Sequence, residues 1–167
     1  AAAAGLWAGV PVEQVAAGLA EAPASPWRME LMRVPGGPTV LNDAYNAGPT
    51  SMAAALQAHA SLPLAAGGRR FAVLGVMAEL GPEGPAEHRR MAELADELGI
   101  GVLAVGCDLY GVADVVAGAD DVVAALDDLA GRDASPGRGA RGVGPDDAVL
   151  VKGSRVAGLE RAAEALT

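Results

Sequence analysis

Two short runs, Phe71-Ala72-Val73-Leu74 and Val149-Leu150-Val151, are apolar at every position. A strand with one wet face would alternate apolar with polar residues, so these runs suit parallel strands covered on both sides. The stretches between such runs have the length and periodicity of the covering helices. Spacing predicts strand 39–41, helix 50–61, strand 70–74, helix 85–98 ending at Gly99, and strand 102–105. A short helix near 109–116, a helix over 120–129, strand 148–151 and helix 156–166 complete the order. Strands alternating with helices through right-handed crossovers give an α/β fold, a doubly wound and mostly parallel sheet. Ahead of it, residues 29–34 alternate in polarity, and Pro35-Gly36-Gly37-Pro38 turns the chain back into the strand at Thr39, an N-terminal β-hairpin. Residues 1–21 read as two helices, the second opened by Pro11, and Pro23 and Pro26 make the following segment an extended linker.

A chain of 167 residues suits one domain, or one domain with part of another. Hydrophobic residues are 51% but aromatics only 3%, so the core must be built from Ala, Val and Leu. The net charge of −9 argues against nonspecific binding to nucleic acid or to an anionic membrane, which need clustered cations. Arg132, Arg138 and Arg141 lie among Asp127, Asp128, Asp133, Asp146 and Asp147 with no aromatic between them, so the 131–144 stretch reads as a solvated loop rather than an RNA contact. Glu13 and Gln14 interrupt the Ala-rich start, and no apolar run nears the ~18 residues of a membrane span, so no membrane insertion is expected. Cys107, alone, forms no internal disulfide and fits a cytoplasmic protein, and no Cys/His cluster suggests a metal. The chain does not begin with Met, which suggests a piece of a longer protein.

Four segments should meet at the carboxyl edge of the sheet, where open α/β folds bind ligands. In Asn42-Asp43-Ala44-Tyr45-Asn46, Asp43 either accepts hydrogen bonds from ribose hydroxyls or, with Asn46, caps turns and the next helix. In Leu74-Gly75-Val76-Met77-Ala78-Glu79-Leu80-Gly81, Gly75 would admit a ligand close to the backbone. His88 on the following helix is either an acid or base or a side chain that hydrogen-bonds the loop, and His59 reads as an exposed helix residue. Val151-Lys152-Gly153-Ser154-Arg155 delivers the sole lysine, a hydroxyl and an arginine to the mouth of a helix, which makes either an anion site or a salt-bridged cap. Arg28, between linker and hairpin, is either a surface charge or a group that reaches a phosphate.

Taken together and in order, these segments resemble the C-terminal domain of the Mur ligases, and within them the ligases that add D-alanyl-D-alanine to a muramoyl tripeptide. The family's Asn-Asp-Ala-Tyr-Asn-Ala-Asn-Pro run is matched by residues 42–49 with Gly48 in place of Asn. Its Arg-Met-Glu strand start matches Arg28-Met29-Glu30, and its Leu-Gly-Asp-Met-x-Glu-Leu-Gly run matches residues 74–81. A His-Arg pair matches His88-Arg89, and Val-Lys-Gly-Ser-Arg matches residues 151–155. Four ordered motifs, with the His-Arg pair downstream of the third, are far more specific than one.

The resemblance implies a Rossmann-like domain at 26–167, preceded in 1–25 by the last helices of a central ATPase domain. It implies an ATP-dependent amide ligase of peptidoglycan synthesis, with Mg2+ held mainly by that central domain. ATP would phosphorylate the peptide carboxylate of UDP-MurNAc-tripeptide, and the amine of D-Ala-D-Ala would displace phosphate. Arg28 would then contact ATP phosphate, Asp43 the ribose, and Asn42, Tyr45 and Asn46 the nucleotide side. Gly75, Met77, His88, Lys152, Ser154 and Arg155 would bind or shape the site of the amine substrate. Val76 stands where the family carries Asp, which leaves another Mur-type ligase open, and the chain contains no Gly-x-x-x-x-Gly-Lys-Thr/Ser loop. The chain alone is therefore expected not to ligate. A reading of another class is a non-catalytic Rossmann-like module that holds an anion between Lys152 and the Asp43 loop.

Overall fold

In the computed structural model, residues 1–21, 25–33, 35–132 and 142–167 are described. The strands are β1 (Glu30–Arg33), β2 (Thr39–Asp43), β3 (Arg70–Leu74), β4 (Ile100–Val105), β5 (Val115–Val116) and β6 (Ala148–Lys152). They form one sheet in the order β1-β2-β6-β3-β4-β5, with β1 antiparallel to β2 and every other pairing parallel. The helices are α1 (Ala2–Trp7), α2 (Val12–Glu21), α3 (Pro49–Ala60), α4 (Gly84–Glu97), α5 (Val122–Arg132) and α6 (Glu160–Ala165). The α/β architecture with its N-terminal hairpin is thus the one the apolar runs dictate.

Both faces of the sheet are covered over its central strands, while the edge strands β1 and β5 are largely exposed. Leu41, Ala72, Leu74 and Leu150 pack with Met52 and Leu56 of α3 and Met91 and Ala95 of α4. Alternate residues of the same strands, Val40, Phe71, Val73 and Val149, pack with Leu126 of α5 and Ala162 of α6. That division follows from the two-residue period of a strand, and it decides which way the polar residues at the strand ends point. β6 runs between β2 and β3 with all five residues buried. Its carboxyl end is therefore enclosed between two neighbouring strands.

Several local expectations are corrected. Residues 109–116 hold no helix; Leu109–Tyr110 lies in a turn, and Val115–Val116 pairs with β4 as an edge strand. Gly158 adopts φ 61° and splits the closing segment into a 3-10 turn, Arg155–Ala157, and α6. His59 is fully buried, not exposed. It completes the i, i+3, i+4, i+7 stripe Met52, Ala55, Leu56, His59 on the inner face of α3, a stripe blurred by alanines on the outer face. The Pro23 part of the linker (22–24), Val34, and residues 133–141, including Arg138 and Arg141 of the expected loop, lie outside the described residues. Among the described residues no helix is long and apolar enough to cross a membrane.

Neither ring nitrogen of His59 has a hydrogen-bond partner among the described residues. Burial, with the Arg70 guanidinium adding to it and the Phe71 backbone opposing in part, pushes its pKa down from 6.5 to about 4. The unfolded chain then takes up a proton between those two values that the folded chain refuses, so stability falls as pH drops through that window. The expected loss is on the order of 3 kcal/mol on reaching the lower value. Urea denaturation near neutral pH and near pH 4 measures it, and His59→Leu should flatten this part of the dependence.

Candidate functional site

The register of β2 on β6 sets Asp43 directly beside Lys152. Both side chains leave the sheet on the α3 face, the same side as Leu41 and Leu150. Lys152 is buried, yet its ammonium is not stranded. Nζ contacts the Asp43 carboxylate and donates to the Asn46 carbonyl at 2.8 Å. Asp43 Oδ1 also accepts the Met29 N–H at 3.1 Å. One carboxylate thus ties the central strand to the linker that enters the domain. Two charges out of water require such partners, since an uncompensated buried charge costs several kcal/mol.

The linker residues are held in an unusual shape. Trp27 and Met29 adopt φ of 59° and 51°, left-handed conformations that cost a non-glycine residue roughly 1–2 kcal/mol each. Trp27 accepts the Tyr45 N–H at 3.2 Å and donates its own N–H to Glu30 Oε2 at 3.2 Å, while Met29 is fixed on Asp43. Between them Arg28 lays its guanidinium 4.0 Å from the centre of the Tyr45 ring, and Arg155 approaches the same ring at 5.8 Å. Among the described residues neither arginine is ion-paired, so the stacks leave their N–H edges free for an anion.

These residues line a cleft of about 560 Å³, with Arg28, Asp43, Tyr45, Asn46 and Lys152 on one wall and Ser51, Ala54 and Ala58 of α3 on the other. The structure therefore brings Arg28, Asp43, Tyr45 and Asn46 together and adds Lys152 to them. Asn42 is not among the lining residues. One residue out of phase with Asp43, it shares the buried opposite face with Val40, and its Oδ1 accepts the Ala44 N–H at 3.3 Å. Its contribution is to the turn that presents Tyr45.

A second cleft, of about 420 Å³, adjoins the first through Asn46 and is lined also by Gly48, Glu79, Leu80, Ser154 and Arg155. Ser154 Oγ accepts the Ala78 N–H at 2.9 Å and donates to the Ala47 carbonyl at 3.3 Å, which joins its two walls. Gly75, Met77 and His88 stand behind this cleft instead of lining it. A Cβ on Gly75 would lie 2.7 Å from Ala157 Cβ, so the close approach it permits is made by the chain itself. Met77 is buried in the core. His88 Nε2 accepts the Met77 N–H at 2.9 Å, which assigns the ring proton to Nδ1, facing the Gly84 carbonyl at 2.6 Å. Tyr110 packs edge-on against His88 and donates its hydroxyl to the Gly75 carbonyl at 2.7 Å. Burial raises the Tyr110 pKa, so that donor stays protonated. Val76 packs at the margin of the apolar core, and its carbonyl accepts the Ser154 N–H at 2.9 Å.

Sequence reasoning missed Tyr110 and Glu79. The signal for Tyr110 was its rarity, as one of two tyrosines in an aromatic-poor chain. Glu79 falls on the Glu of the Leu-Gly-Asp-Met-x-Glu-Leu-Gly run matched by residues 74–81, the signal that could have singled it out. Among the described residues no group of three or more His, Cys, Asp or Glu is placed to hold a metal ion.

Replacing Lys152 with Met should destabilise the fold by about 3 kcal/mol, because the Asp43 carboxylate is left without its counter-charge. Adding Asp43→Asn to that variant should recover part of the loss, and urea denaturation of the single and double variants gives the coupling.

The family model described as the Mur ligase, glutamate ligase domain matches residues 27–155. A UDP-N-acetylmuramoyl-tripeptide--D-alanyl-D-alanine ligase of Mycobacterium bovis is 41% identical over 99% of this chain and 36% of its own length. The chain thus spans about a third of the length of that curated relative. A crystal structure of MurF from Acinetobacter baumannii superposes with a TM-score of 0.73 at 27% identity, over 97% of this chain and 34% of the other. The fold is shared too by a MurF ligase from Thermotoga maritima solved in complex with ADP, at 24% identity and a TM-score of 0.69, over 97% of this chain and 35% of that one. With its motifs on adjoining clefts and the domain model spanning them from linker to Arg155, the chain belongs to the Mur ligase family.

Proposed function

We propose that this chain serves an ATP-dependent amide ligase that joins D-Ala-D-Ala to UDP-MurNAc-tripeptide in peptidoglycan synthesis, in the cytoplasm. The observation that carries the reading is the convergence of Arg28, Asp43, Tyr45 and Asn46 on one cleft, in a chain so similar to curated ligases of that name. In this reading residues 1–25 end a central domain and residues 26–167 form the domain that closes over the nucleotide. The α1–α2 pair is consistent with that division: Gly5 packs against Val15, while Leu6, Trp7, Val12 and Leu19 stay exposed.

The residues fit a nucleotide. The cleft volume is within the ~300–1,000 Å³ range of small-molecule sites. Asp43 has one oxygen turned to Lys152 and the other to Met29, and each retains a lone pair for a ribose hydroxyl. The Arg28 guanidinium is pre-oriented by Tyr45 for a phosphate oxygen, so little side-chain freedom is lost on binding. ATP would supply the phosphoryl group that converts the tripeptide carboxylate into an acyl phosphate; the neutral amine of D-Ala-D-Ala would add to that carbonyl, and the tetrahedral intermediate would expel phosphate while the amine nitrogen gives up a proton to solvent. Mg2+ belongs to the phosphate-binding side, which this reading places in the central domain. Lys152 acts as a strut for Asp43 and Asn46, and its charge is already compensated. That weakens the alternative of a stand-alone module holding an anion on Lys152.

The test is a chimera in which residues 27–155 replace their counterparts in the Mycobacterium bovis relative. Expected is ATP-dependent ligation of D-Ala-D-Ala, with none from the present chain alone. A folded chimera that ligates a different amine would reassign the chain to another Mur-type ligase. In the active chimera, Arg28→Ala should raise the KM for ATP about tenfold, the loss of one charge-assisted contact. Its Tm should barely move, because an exposed cation–π stack contributes only about 0.5–1 kcal/mol.

A further inference from the structure

Glu79 and Arg155 are the charged side chains lining the second cleft, and they are opposite in sign. Among the described residues neither forms an ion pair, although both are exposed and share one cavity wall system with Ser154 and Asn46. Glu79 also has φ 67°, a left-handed conformation that glycine would adopt without strain, as Gly81 does two residues later at φ 57°. The conformation is imposed from behind. Tyr110 holds the Gly75 carbonyl, the Ser154 N–H holds the Val76 carbonyl, His88 holds the Met77 N–H and Ser154 Oγ holds the Ala78 N–H. Four consecutive residues are thus fixed, and the strained fifth carries a carboxylate with no internal partner. Strained residues kept in place by their surroundings cluster at ligand clamps and active sites, and this one carries a free functional group on a cleft.

We propose that Glu79 is the specificity-determining residue for the amino end of a zwitterionic amino acid or short peptide, whose carboxylate end is taken by Arg155. The inference rests on the ligase reading above, and names the group that selects the amine substrate. A carboxylate and a guanidinium lining one cleft, and not paired with each other, match an ammonium and a carboxylate at the two ends of a ligand. Asn46 lines both clefts, so a ligand seated on Glu79 lies beside the nucleotide cleft. Tyr110, His88 and Ser154 are positioning residues that hold Glu79 in its left-handed conformation.

The test is a titration of this chain, by calorimetry or by amide chemical shifts, with millimolar D-Ala-D-Ala, its N-acetyl derivative and its C-terminal amide. The native chain should bind the free dipeptide about tenfold more tightly than the N-acetyl form, the scale of one charge-assisted hydrogen bond. Glu79→Gln should lower affinity for the free dipeptide to that of the N-acetyl form and leave the latter unchanged. Arg155→Gln should remove the preference over the amide. Glu79→Gly should lose the same discrimination with Tm unchanged or raised, an outcome a merely structural role would not give. Retention of the free-amine preference in Glu79→Gln, or its absence in the native chain for every zwitterion tried, overturns the assignment. Glu79-dependent preference for other zwitterionic dipeptides but not D-Ala-D-Ala would sustain it and overturn the substrate named above. D-Ala-D-Ala binding that ignores Glu79 would do the reverse.

Discussion

The site is organised around a charge pair at the dry end of a central strand. Lys152 closes β6, which is buried along its whole length, and its ammonium can remain there only because Asp43 and the Asn46 carbonyl receive it. The same Asp43 reaches back to the Met29 N–H, so strand, loop and entering linker share one electrostatic anchor. A buried ion pair adds little net stability against an apolar substitute. What it supplies is geometry. It fixes the 43–46 loop and, through Met29, the Arg28–Tyr45 stack that faces the first cleft.

The second cleft is built on the same plan with neutral partners. Ser154 joins the 46–48 segment to the 75–80 loop, and His88 and Tyr110 support that loop from the interior. In both clefts left-handed non-glycine residues stand at, or flank, a residue that lines the cleft: Trp27 and Met29 around Arg28, and Glu79 itself. Trp27 and Met29 are held by bonds to Tyr45 and Asp43, and the four residues ahead of Glu79 by bonds to Tyr110, Ser154 and His88. The scaffold thus offsets the local strain, as preorganised sites require. The substitution of Val76 for the family's Asp leaves the loop's backbone bonds in place, since those bonds use Val76 O and not its side chain.

Much of the fold was legible in the sequence because its signals are local. Runs such as Phe71–Leu74 and Val149–Val151 need both faces covered whatever the rest of the chain does, and Gly99 and the Pro-Gly turn punctuate them. Failures occurred where local signals are weak. The alanines of α3 hid the stripe that buries His59, and a two-residue edge strand at Val115 has too few residues to show a period. Within the site, strand ends identified Asp43, Asn46 and Lys152 as neighbours at one edge, but the phase of the strand was needed to turn Asn42 away from them.

The sequence by itself determined the α/β class, the sheet edge at which the motifs gather and the family to which they belong, because hydrophobic periodicity and motif order are properties of contiguous residues. Only the tertiary structure decided what each polar side chain does there. It gave the Lys152 ammonium two partners inside the fold, made His88 and Tyr110 supports for a loop, and left Glu79 and Arg155, which line one cleft, without an ion-pair partner among the described residues. Those roles depend on which hydrogen-bond capacity is already used by residues up to 109 positions away. Only packing reveals that, because a polar group withdrawn from water must find its partner wherever the fold brings one.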